Sequence, residues 1–155
     1  MKTKFKISPR FPVKPELAKQ VARFCIQHAV PVCRKLGKKV PASVSFTMFG
    51  SPRQTRSGRA VRNCNRIIAQ NTSVFLRLGQ YAGGIHVERY HRYADSPVCP
   101  CDGQTEIYLH LVAHEVGHAV CGFNGQKEGE FACENFARHC VEEYRMATQD
   151  PACLI

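Results

Sequence analysis

Carboxylates are almost missing from the first part of this chain. Residues 1–66 carry sixteen Lys and Arg against a single acid, Glu16, a charge of +15, whereas residues 67–155 carry six bases and eleven acids, −5, so the net +10 is the sum of two unlike halves. A basic half is the footprint of an acidic partner, nucleic acid first, and equally of a surface that serves only solubility. No recognised nucleic-acid-binding motif accompanies the charge, so nucleic acid stays a candidate partner through the basic N-terminal half and no more. Long apolar runs are also lacking. Nothing approaches the roughly 20 residues of a membrane span, so no membrane partner is expected. The start, Met1 to Pro12, is basic like the head of a signal peptide, but no apolar stretch follows it, which predicts a protein that stays in the cytoplasm. Internal repeats and low-complexity tracts are absent too.

Cysteine is not scarce. There are nine, an odd number, and without an export signal they are expected as reduced thiols rather than as a disulfide framework. Cys99-x-Cys101 lacks the two-residue spacer of a zinc knuckle and is not expected to hold a metal. With 155 residues, 44% hydrophobic and 22% charged, the chain suits one soluble domain over 1–155 with a substantial core.

The first 14 residues read as a basic, Pro-punctuated leader. Pro15 to Leu36 then reads as a helix, with Leu17, Val21, Phe24, Cys25, His28 and Val32 at helical spacing, Pro31 as a kink or early end, and Gly37 as a stop. Val44 to Met48 alternates as a half-buried strand. Residues 50–62 read as a basic loop, with an arginine at every third position from Arg53 to Arg62. Arg66–Ala69 and Ser73–Leu78 suggest two strands around a turn at Asn71-Thr72, and Ile85–Tyr93 a fourth. Asp102 is the expected N-cap of a helix that runs to Cys121 and closes at Gly122; Asn124-Gly125 turns the chain into a last helix from about Glu128 to Met146. The whole is an α+β pattern.

The chemistry gathers on the penultimate helix, in His114-Glu115-Val116-Gly117-His118. Residues four apart share a helix face, so His114 and His118 can close on one metal ion, with Glu115 beside them as a base for water rather than as a ligand. A catalytic zinc wants a third protein ligand and an open position, and the last helix offers Glu130, Glu134 and His139. Glu130 and Glu134 again share a face, so one can bind the metal while the other orients an imidazole. His110, one turn before His114, is expected outside the ligand set. Tyr90, His91, Tyr93 and Tyr144 are candidate donors to a developing oxyanion.

Together, His114-Glu115-x-x-His118 and the later Glu130-Phe131-Ala132-Cys133-Glu134-Asn135-Phe136-Ala137 resemble the gluzincin metallopeptidases. The match is closest to the ImmA/IrrE type, whose second helix reads E-x-x-A-[N/D]-x-F-A, and there is a weaker similarity to SprT-like proteases. The resemblance spans roughly residues 105–140. It implies a compact zincin-like fold, one Zn2+ per chain on His114, His118 and Glu130, Glu115 as general base and a protein or peptide substrate. The chain departs from the pattern at two places: Cys133 stands where the family has a small Ala, and Glu134 where it has Asn or Asp.

Overall fold

The computed structural model describes residues 1–50, 57–62, 71–78, 95 and 99–149. Its order is β1 (Lys2–Ile7), α1 (Pro15–Lys35), β2 (Ser43–Gly50), β3 (Ser57–Arg62), β4 (Asn71–Leu78), α2 (Gly103–Val116), a π turn (Gly117–Cys121) and α3 (Lys127–Gln149). The architecture is α+β, as the sequence pattern implied. The strands form one sheet in the order β1-β2-β4-β3, parallel across β1, β2 and β4, with β3 antiparallel to β4. Among the described residues no helix is long and apolar enough to cross a membrane.

Two expected loops contain strands. The leader is not a free arm: Lys2 to Ile7 pair with Ser43 to Met48, lysines 2, 4 and 6 lie exposed, and Phe5 stacks on Phe46 with ring centroids 5.2 Å apart. The period-two alternation of a strand was present there, hidden under the charge. In the basic loop, Ser57–Arg62 pairs with Arg77–Thr72 of β4. Arginine at every third position masks any alternation, so only the neighbouring strand defines β3. Asn71 and Thr72 likewise open β4 opposite Ser43 and Val44 instead of turning the chain. The strands expected at Arg66–Ala69 and Ile85–Tyr93 fall outside the described residues, as do Tyr90, His91 and Tyr93.

Helix α1 starts at Pro15, where a missing N–H costs nothing, and runs past an exposed Pro31 to Lys35. Gly37, at φ 66°, ends it: the Gly37 N–H reaches the Arg34 carbonyl at 2.9 Å and the Lys38 N–H that of Cys33 at 3.0 Å. Its buried stripe is Ala18, Val21, Ala22, Cys25, Ile26, Ala29 and Cys33, with Leu17, Phe24 and Val32 at the margin. Small residues let the helix lie close against α2. There the Tyr108 hydroxyl donates to the Ala18 carbonyl at 3.1 Å.

Helix α2 is apolar around most of its circumference because it is covered on most sides. Tyr108, Leu109, Val112, Val116 and Val120 are almost wholly buried. Asp102 is its N-cap, but its side chain makes no capping bond; Glu106 reaches back instead, accepting from the Asp102 N–H at 2.5 Å and pairing with Arg145 of α3 at 2.6 Å.

Candidate metal centre

α2 passes into a π turn one residue before His118, and Gly122, in the left-handed region at φ 67°, ends it. The wider turn folds the chain back so that Phe123 offers its carbonyl to His118 Nδ1 at 2.9 Å. Since a carbonyl only accepts, Nδ1 carries the proton, and the lone pair of a neutral His118 sits on Nε2. Lys38, from the connector after α1, fastens this end by donating to the Gly122 carbonyl at 2.9 Å.

On α3 a glycine decides how close the ligand helix approaches. A Cβ at Gly129 would lie 2.0 Å from the Asn124 carbonyl oxygen, so no side chain fits. That contact sets the next residue, Glu130, against the imidazoles. Its Oε2 is 3.2 Å from His114 Nε2 and its Oε1 3.5 Å from His118 Nε2, while the two Nε2 atoms are 3.2 Å apart. One turn on, buried Glu134 spans two histidines: Oε1 accepts from His114 Nδ1 at 2.8 Å and Oε2 faces His110 Nε2 at 3.0 Å. His114 is thus held as His118 is, Nδ1 tied and Nε2 toward Glu130.

The electrostatics follow from burying three histidines among carboxylates. Burial opposes charge on His114, but Glu130 and Glu134 outweigh it and lift its pKa to about 10. Burial would raise Glu134, yet His110 and His114 hold it at about 2. Glu115 is buried, and its charge is felt at both His114 and the Cys133 thiol. Burial, then Glu130 and Glu115, push that thiol far above its ordinary range.

Cys133 belongs to the same cluster. One donor atom each from His114, His118 and Cys133 lie within 4.8 Å of one another, a group that could hold a metal ion. The sequence marked position 133 as a departure from a small residue and left open whether its thiol approaches the metal. The clue lay in its spacing, three after Glu130 and one before Glu134, which puts all three on the face turned to α2. His139 sits elsewhere, with its ring 5.8 Å from that of His28. Tyr144 packs edge-on against Phe24 at 5.8 Å. Fourteen residues separate it from Glu130, about 21 Å along a helix. The seven described cysteines are free thiols.

No family model, no curated protein and no solved structure matches this chain.

Proposed function

We propose that the chain is a zinc-dependent endopeptidase of gluzincin type with a zincin-like fold, its metal held by His114, His118 and Glu130. One observation carries this reading: the two Nε2 atoms stand 3.2 Å apart, and Glu130 turns one carboxylate oxygen to each, Oε2 at 3.2 Å from His114 and Oε1 at 3.5 Å from His118. Ligands at zinc's ordinary bond lengths of about 2.0–2.2 Å stand roughly 3.3–3.6 Å apart around a tetrahedron. In the metal-free site a proton on His114, whose pKa is raised to about 10, separates the two Nε2 atoms, and a bound cation takes that proton's place. The donor chemistry therefore fits the ion.

Zinc bound there supplies a Lewis acid that acidifies water and polarises a scissile carbonyl. The chain's own residues do the rest. Glu134 fixes the His114 ring and raises its basicity through Nδ1, and the Phe123 carbonyl does the same for His118. Glu115 accepts the proton of the attacking water at its carboxylate and returns it to the departing amine. The protein substrate binds as an added strand on β3, the last strand in the described sheet, which packs beside α2 and the π turn. Free thiols suit a reducing cytoplasm.

A second reading keeps the zinc but makes the basic half the working surface, as a nucleic-acid- or protein-binding module without hydrolysis. The exposed lysines 2, 4 and 6 along β1 favour it. Zinc content and casein or peptide hydrolysis, measured on wild type, Glu130→Ala and Glu115→Gln, separate the two. The peptidase holds about one zinc per chain, binds it markedly more weakly in Glu130→Ala, and in Glu115→Gln keeps the zinc while losing turnover. No zinc in the wild type sinks both readings. Zinc without turnover, with association to DNA that weakens steeply as salt rises, selects the second.

A further inference from the structure

We infer that the Cys133 thiolate is a fourth protein ligand of the metal, so that the resting centre is His114, His118, Glu130 and Cys133 and has no open position. The inference rests on the metal reading above and adds to it a state of the site. Cys133 is fully buried and comes from the same face of α3 as Glu130 and Glu134. Its sulfur has a donor atom of each ligand histidine within 4.8 Å. Gly117, between the two histidines, is what admits it: a Cβ there would stand 3.0 Å from Cys133 Sγ and 3.5 Å from its Cα. Glycine at 117 and cysteine at 133 are thus sterically matched, with the sulfur brought to the flank of the metal helix.

Sulfur is the softest donor in this cluster and suits zinc well, at a bond of about 2.3 Å, longer than those to nitrogen or oxygen. As the metal–sulfur bond forms, the thiol gives its proton to solvent. Four protein donors make a closed site, which holds metal firmly and excludes water. Hydrolysis then requires the sulfur to leave first, so Cys133 sets a latent state that a substrate or a reagent for thiols must open.

Cobalt(II) substitution tests this without reference to activity. The full-length protein, stripped of metal and loaded with one equivalent of Co2+, should show the near-ultraviolet absorption of a thiolate-to-cobalt charge transfer together with visible ligand-field bands. Cys133→Ser, which keeps the packing volume against Gly117, should lose the charge-transfer absorption, keep bound cobalt and have its visible bands shifted; Cys133→Ala should do the same. Visible bands without charge transfer in the wild type would overturn the inference and leave the three-ligand site standing. Charge transfer that persists in Cys133→Ser would assign the sulfur to another cysteine and overturn it equally. Absence of bound cobalt in every protein would overturn the metal reading beneath it, an outcome distinct from the other two.

Discussion

The two sides of α2 and the π turn that continues it are built on different physics. Toward α1 and the sheet it presents Tyr108, Leu109, Val112, Val116 and Val120, apolar and almost without solvent contact. Toward α3 it presents His110, His114 and His118, faced by Glu130 and Glu134 at 2.8–3.5 Å. Burying apolar area stabilises without demanding exact geometry. Buried ion pairs contribute little net stability, because desolvation offsets their attraction, but they fix the orientation of every group involved. One side of the helix thus carries the fold, and the other aims donors.

Substitutions should separate the sides. The largest effect is expected at Gly129→Ala, where the added methyl meets backbone rather than a side chain that can yield; the loss should be on the order of 4 kcal/mol, read from the shift in denaturant midpoint, with metal content falling alongside. Leu109→Ala, on the apolar side, should cost about 2–5 kcal/mol and leave stoichiometric metal on the folded protein. If metal affinity collapses with it, the two sides are not separable. On the polar side, Glu134→Gln should weaken metal binding roughly 10–100-fold in a chelator competition and also lower the midpoint, because the buried His110 and His114 lose their carboxylate.

Proton linkage sharpens the contrast. In the metal-free protein His114 has its pKa raised to about 10, so its contribution is complete below the unfolded value near 6.5 and is lost as pH rises through about 10. Thermal melts of apoprotein should fall across that window, and metal-loaded protein should not follow. Glu134, lowered to about 2, acts oppositely: its contribution is present above about 4.5 and lost as pH falls toward 2. That acid limb should flatten in Glu134→Gln. The smallest effect is expected at Arg145→Met, which removes the partly exposed pair with Glu106 at the start of α2; about 1 kcal/mol or less by denaturation, with no change in metal affinity, would fit a site indifferent to that end of the helix.

Much of this was legible where chemistry repeats at helical spacing. Histidines at 114 and 118 and glutamates at 130 and 134 declare two facing helices, and Gly37, Gly122 and Asp102 mark ends that the structure places at or within a residue of those positions. Less legible was whatever a neighbour decides. β1 and β3 exist because β2 and β4 lie beside them, and their own residues advertise charge. Beside Val21 and Ile26, the buried face of α1 is alanine and cysteine, which carry a weaker apolar signal than the Leu17 and Phe24 at its rim. Spacing puts Cys133 on the face of Glu130 and Glu134, but how near it comes to the histidines depends on the glycine opposite.

The π turn has a further consequence for how this stretch of chain tolerates change in length. It holds one more residue per turn than an α-helix, so deleting Ala119 or Val120 would restore regular winding yet rotate everything after it by about 100°. The Phe123 carbonyl would swing away from His118, and the knot joining Gly122 to Lys38 would come undone. Where most helices resist insertion, this one has absorbed one: its extra residue is a spacer that sets the phase between the metal helix and the helix that completes the site.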